Sequence, residues 1–178
     1  EALDAIKRET RDWKFRIEVQ ALSQTIDSNA LAAGLSAIAT ATTRIVLDLA
    51  RQDMRRRHGT IDGLVSIIAL GRMGTRQLTV SSDIDLLIVY DAPEQAASTG
   101  ARPLDAASYF ARLAQTIISW LATPTAEGTL YEVDLRLRPE GEAGSIATSH
   151  NRLKTYFATD AWLWEKLALT KARLVAGD

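Results

Sequence analysis

Residues 65–91 read VSIIALGRMGTRQLTVSSDIDLLIVYD, and this stretch constrains the fold more than any other. An apolar run over 65–70 stops at Gly71, and a turn-like segment with a second glycine, Gly74, follows. Ser81-Ser82-Asp83-Ile84-Asp85 then runs straight into Leu86-Leu87-Ile88-Val89. A short apolar run bounded by turn residues predicts a buried strand. Side chains alternate along a strand, so Asp83 and Asp85 point the same way at its mouth. Two neighbouring carboxylates repel each other and are costly to desolvate. A divalent cation relieves both, and hard oxygen ligands on a rigid element suit magnesium. Two solvated acids at a strand start would read the same; the glycine turn before them and a third carboxylate later in the chain favour the cation.

That third carboxylate is Asp134. Residues 129–138 alternate, with Leu130, Tyr131, Val133, Leu135 and Leu137 apolar and Glu132, Asp134, Arg136 and Arg138 on the other face. The pattern predicts a strand ended by Pro139 and Gly141. Beside the strand carrying Asp83 and Asp85, it would bring three carboxylates together, an arrangement that can hold two metal ions for in-line phosphoryl or nucleotidyl displacement. Arg136 and Arg138 would then meet phosphate oxygens. The alternative for Asp134 is a salt bridge with these arginines.

Helices are expected on either side. Leu3, Ile6, Thr10, Trp13, Ile17 and Ala21 form a stripe over 1–24. Asp27-Ser28-Asn29 supplies cap residues, and a longer alanine-rich helix follows over 30–57, its small residues permitting close helix approach. Arg55, Arg56, Arg57 and His58 end it before Gly59, where cations complement the helix dipole. The alternative, a phosphate or RNA patch, lacks interleaved aromatic residues. Neither His58 nor His150 has a partner suggested by the sequence. A loop is expected over 92–103, a helix over 104–122, a turn over 124–128, a loop over 141–148, and two closing helices over 151–159 and 161–175. The fold class is thus α+β: a small mixed sheet flanked by helices, with a helical segment over 1–60 and a catalytic unit over 61–178.

Composition narrows the function. A net charge of −1 gives no electrostatic case for nucleic acid or an anionic membrane as partner. With no cysteine there is no disulfide, thiolate ligand or thiol nucleophile. No signal peptide pattern opens the chain and no run is expected to approach a membrane span, so a cytoplasmic location is expected. The first residue is Glu1, not methionine, which suggests a segment of a longer polypeptide.

Three motifs in order carry a resemblance. Gly71-Arg72-Met73-Gly74-Thr75-Arg76-Gln77-Leu78, then Ser82-Asp83-Ile84-Asp85-Leu86, resembles the G-K-L-G-G-x-E-L…S-D-L-D-L signature of glutamine-synthetase adenylyltransferases, within the polymerase-beta-like nucleotidyltransferase superfamily. Val133-Asp134-Leu135-Arg136-Leu137-Arg138-Pro139-Glu140-Gly141 is similar to that family's V-D-x-R-L-R-P-x-G. Ala161-Trp162-Leu163-Trp164-Glu165 and Ala168-Leu169-Thr170-Lys171-Ala172-Arg173 look like its A-W-x-W-E…A-L-x-R-A-R segment. Gln77 and Arg72 depart from the pattern, which usually has Glu and Lys there. If the Glu acts through its charge, Gln77 weakens this copy; if it makes a loop contact, Gln can substitute.

The resemblance implies a polymerase-beta-like nucleotidyltransferase fold and transfer of AMP from ATP to a tyrosine of glutamine synthetase, regulating nitrogen assimilation. Asp83, Asp85 and Asp134 would be the catalytic, magnesium-binding acids, with two ions expected. Gly71 and Ser82 would line a phosphate cradle, with Arg136 and Arg138, and further off Lys171 or Arg173, neutralising charge. Trp162 and Trp164 are expected in the core or at a domain contact, an adenine stack being the alternative. The family has two catalytic halves, one adding AMP and one removing it by phosphorolysis; the forms of the second and third motifs resemble the adding half. Glutamine synthetase and the PII signal protein are the implied partners, the latter through regions possibly absent here. A removing half, a non-catalytic regulatory copy, and a more distant nucleotidyltransferase acting on a nucleic-acid or antibiotic hydroxyl are the other readings.

Overall fold

The computed structural model describes residues 2–124, 128–139, 141 and 144–178. The expected turn over 124–128 and the end of the second motif fall partly outside these, at residues 125–127, 140 and 142–143. Two long helices open the chain, α1 (Ala2–Leu22) and α2 (Ser28–His58). Asp27 caps α2 by accepting the Ala30 N–H at 2.7 Å. The two helices approach closely where α2 has a glycine: a methyl at Gly34 would overlap Ile17. At the far end of α2, Arg56 and Arg57 turn back onto the carboxylate of Asp53, and Gly59 leaves the helix with φ of 77°. The triple arginine is therefore largely a helix-end device.

The sheet contains β1 (Leu64–Ala69), β2 (Ile84–Asp91), β3 (Val133–Asp134), β4 (Ala147–Ser149) and β5 (Arg173–Gly177). Its order is β3-β2-β1-β5, and β4 also pairs with β2. The β1 strand runs antiparallel to β2 and β5, whereas β3 and β4 lie parallel to β2 at its beginning and end. Helices α3 (Gly71–Gly74) and α4 (Ala106–Ala122) follow β1 and β2, and α5 (His150–Thr159) and α6 (Leu163–Leu169) precede β5.

Alternation along the strands builds two unequal layers. Val65, Ile67, Ala69, Ile84, Leu86 and Ile88 face Leu35, Ala39, Val46 and Leu47 of α2 and Phe110, Leu113 and Ile117 of α4 in the main core. The opposite face carries a smaller cluster of Leu70, Leu87 and Val89, against which Leu137, Leu153 and Leu169 pack. The first 60 residues thus share one core with the sheet. Asp85 alternates with Leu86, so it lies on the thinly covered face.

Four expectations need correction. The strand expected over 129–138 shrinks to Val133–Asp134. Asp134 itself ends it: its Oδ1 accepts the backbone N–H of Arg136 at 2.8 Å, the Asx-type bond that diverts a chain from a ladder. Glu132, Asp134, Arg136 and Arg138 therefore do not form one strand face. The loop expected over 141–148 contains the start of β4. The single closing helix over 161–175 is α6, a turn at Thr170 and Lys171, and then β5; pairing with β1 overrides helical spacing in its last residues. Lastly, α2 does contain an 18-residue window of mean hydropathy 1.5, long and apolar enough to cross a membrane. Here that helix is the core helix of the sheet layer, and Thr42 on it bonds Thr10 of α1.

Candidate active site

Register brings the acids together. Asp85 and Asp134 are direct partners across the parallel β2–β3 pair. Asp83 stands exposed one residue before β2, and the Ile84 N–H bonds the Glu132 carbonyl at 2.9 Å, clamping the two segments. Asp85 and Asp134 line a cavity of about 290 Å³ together with Leu70, Arg136, Leu137 and Trp164. Asp83 opens onto an adjoining depression that Asp134, Arg136 and Arg138 share.

Gly71 sits directly against Asp85. A methyl there would stand 2.9 Å from the Asp85 Cγ and overlap its Oδ2, and the residue has φ of +50°. Both facts require glycine. The approach is fixed by the chain itself, because the Leu70 N–H bonds the Asp85 carbonyl at 2.9 Å. Gly74, at the other end of α3, is equally constrained: a side chain there would overlap the Lys171 carbonyl. The glycine spacing in the first motif thus lets a one-turn helix lie between the acid strand and the turn before β5.

The charges are unevenly matched. Burial, then the Asp83 and Asp134 carboxylates, push the Asp85 carboxyl above its ordinary value, with Arg136 opposing. Asp134 goes the other way: hydrogen bonding from Arg136 holds it below the usual carboxylate range. Arg136 grips Asp134 with Nε at 2.8 Å and with Nη2, while its side chain is otherwise exposed. Of the two alternatives posed for this arginine, the bridge to Asp134 is present, and the same side chain borders the opening.

Among the described residues, no three His, Cys, Asp or Glu side chains are gathered closely enough to hold a metal ion. The donor chemistry nonetheless suits a hard divalent cation: carboxylate oxygens in register, one of them carrying poorly compensated charge in a cradle that a Cβ would fill. The Arg136 fork occupies Asp134 where such a cation would compete.

Other expected site residues have structural partners. Ser82 turns inward to the loop, its Oγ accepting the Thr79 N–H at 3.0 Å and bonding Thr79 Oγ1 at 2.7 Å. Arg138 bonds the carbonyls of Leu135 and Gly144. Arg173 donates to the carbonyls of Met73 and Gly74 and to Thr40 Oγ1, so it ties β5 to α3 and α2. Lys171 is exposed. Gln77 lies exposed in the loop, its N–H on the Arg72 carbonyl and its Oε1 within reach of the Thr75 hydroxyl, so its contacts are local.

The tryptophans are not core residues: Trp162 is 71% and Trp164 57% exposed. Glu165 is the buried member of that motif, accepting the Trp162 N–H at 2.7 Å and the Tyr156 hydroxyl at 2.8 Å. That capping sets the start of α6, and Trp164 lies in the wall of the acid cavity. Leu137, also in that wall, was not singled out by the sequence reading; its position follows from the turn that Asp134 starts.

Comparison with known proteins places the chain in a family. The profile of the family described as glutamate-ammonia ligase adenylyltransferase matches residues 1–178. A bifunctional glutamine synthetase adenylyltransferase/adenylyl-removing enzyme of Mesorhizobium japonicum is 41% identical over 180 aligned residues, covering 100% of this chain and 18% of the relative. Proteins of the same name from Rhizobium meliloti and Caulobacter vibrioides are 39% and 38% identical, covering 100% and 98% of the chain and 18% of each relative. The chain therefore spans about a fifth of the length of these relatives. With a match across its whole length and relatives near 40% identity, the chain belongs to the glutamate-ammonia ligase adenylyltransferase family.

Proposed function

We propose that this chain is a nucleotidyltransferase unit of polymerase-beta-like fold that moves AMP from ATP to a tyrosine hydroxyl of glutamine synthetase. The observation that carries the reading is the pairing of Asp85 with Asp134 across β2 and β3, with Gly71 pressed against Asp85. Adenylyl transfer forms a bond between the tyrosine oxygen and the α-phosphorus, breaks the α–β phosphoanhydride, and releases pyrophosphate and one proton. Asp134, the acid to which the family resemblance gives this task, would help take up that proton. Arg136 faces the opening and neutralises charge on the departing phosphates. Gly71 lets the Asp85 carboxylate lie directly against the turn that follows β1. Trp164 offers a flat apolar wall, which keeps water from the cleft and orients a planar ring.

Asp83, Asp85 and Asp134 would hold magnesium, which when bound supplies Lewis-acid charge neutralisation. The adding half is preferred over the removing half because the second and third motifs take its form. Regulation by the PII signal protein would run through parts of the polypeptide outside this chain, in the cytoplasm.

The test is calorimetric titration of ATP with and without Mg²⁺ into the wild type and Asp85→Asn, followed by AMP transfer by Asp134→Asn. Metal-dependent ATP binding that Asp85→Asn loses, with transfer abolished in Asp134→Asn, is the expected result. If ATP fails to bind at any magnesium concentration, the adding reaction is wrong. A deadenylylation assay with phosphate then separates the removing half from a non-catalytic copy.

A further inference from the structure

A second charged cavity lies at the other end of α3. It measures about 390 Å³ and is lined by Arg44, Arg76 and Arg173 over a floor of small α2 residues that includes Ala37, Thr40 and Ala41. Among the described residues, no carboxylate lines it. The neighbouring depression, which Arg44 also borders, is different: Asp48 lies in its wall, and Arg51 there pairs with Asp178. Three guanidinium groups are thus gathered in a chain whose net charge is −1, with no acid among the described residues of that lining.

Each arginine is held in place by the fold. Arg44 donates from Nε to the Val175 carbonyl at 2.7 Å. Arg173 donates to the carbonyls of Met73 and Gly74. Arg76 takes a left-handed backbone, φ of +61°, a conformation that costs a residue with a side chain about 1–2 kcal/mol. Backbone strain at a residue that projects a charge into a cavity marks a position the fold maintains against its local preference. Burial first, then the charges of Arg76 and Arg44, pull the Arg173 guanidinium below its ordinary value, so the cluster as it stands is self-repelling.

We propose that Arg44, Arg76 and Arg173 form a binding site for a small, multiply charged oxyanion of phosphate type, separate from the acid cavity. Guanidinium forks match the oxygens of a tetrahedral anion, and three of them would relieve their mutual repulsion by closing around one. The small residues of the floor leave the room that three long side chains alone would fill. The site is also joined to the acid cavity through α3: Arg173 grips the carbonyls at one end, and Gly71 at the other touches Asp85. An anion that draws on Arg173 therefore acts on the element that positions Asp85.

The test is calorimetry with inorganic phosphate on the full-length protein, comparing wild type with Arg76→Ala and Arg76→Lys. Alanine keeps the strain of the left-handed backbone and removes the charged side chain, Arg76→Lys keeps a charge and a long stem, and thermal unfolding checks that folding is matched. Phosphate should bind the wild type, bind Arg76→Ala about tenfold or more weakly, and recover in part with Arg76→Lys. A tungstate-soaked crystal should show its anomalous peak between the three arginines. Equal phosphate affinity in wild type and Arg76→Ala, no binding to the wild type, or a tungstate peak only at the acid cavity would each overturn the proposal.

Discussion

The tightest contact in the acid site can be tested with a single methyl group. In Gly71→Ala the new Cβ would stand 2.9 Å from the Asp85 Cγ and overlap Oδ2. Two costs follow. Alanine at φ of +50° carries the left-handed penalty, about 1–2 kcal/mol. The clash itself is relieved by swinging the carboxylate aside, since it is the free end of a side chain and not backbone. That swing moves Asp85 by roughly an ångström, a misplacement that lowers a rate by about a hundredfold when the group acts on the reacting atoms. Gly141→Ala is the matched control, with φ of +53° and none of the described residues within 4 Å of the added methyl. Both variants should lose similar stability by urea unfolding. Only Gly71→Ala should lose transfer of labelled AMP to glutamine synthetase. Equal activities in the two variants, with Gly71→Ala folded, would refute the argument that Asp85 is held in place by the missing side chain.

Two further outcomes follow from charge and burial. Asp85 has a folded-state proton affinity raised above the unfolded one, so its contribution to stability is complete below the unfolded value near 3.8 and is lost as pH rises through the folded value. Without divalent ions, Asp85→Asn should therefore match the wild type near about pH 3 and exceed it near about pH 7 in urea unfolding; an equal offset at both pH values would contradict the assignment. Lys7, 2% exposed on α1, donates to the carbonyls of Thr123 at 2.7 Å and Gly128 at 3.2 Å beyond the end of α4. Lys7→Met should cost about 1–3 kcal/mol, because buried acceptors lose a charged donor; unchanged stability in chemical denaturation would show that water replaces it.

Residues 65–91 were legible from sequence because every feature there is local. Apolar runs, the glycines and the Asp-Ile-Asp step predict strand, turn and strand, and β1, α3 and β2 sit where those signals fall. The long helices were legible for the same reason: periodicity over many turns, with Asp27 and Gly59 as punctuation. The second motif was misread because alternation continues past Asp134 although the strand does not. A side-chain bond from Asp134 to the Arg136 N–H outweighs the period. The third motif was misread because helix spacing and a strand in contact with β1 look alike over five residues.

The sequence alone was enough to single out the three acids and the α+β class, from residue type and alternation along each strand; a site role for Gly71 was what the family resemblance implied. Only the tertiary structure decided how the acids differ. Register set Asp85 beside Asp134, burial raised the proton affinity of one, and Arg136 lowered that of the other. It also set Trp164, expected in the core or at a domain contact, in the wall of the acid cavity and gathered Arg44, Arg76 and Arg173 from three separate segments. Electrostatic energies depend on distance and on the water removed, and neither is written along the chain.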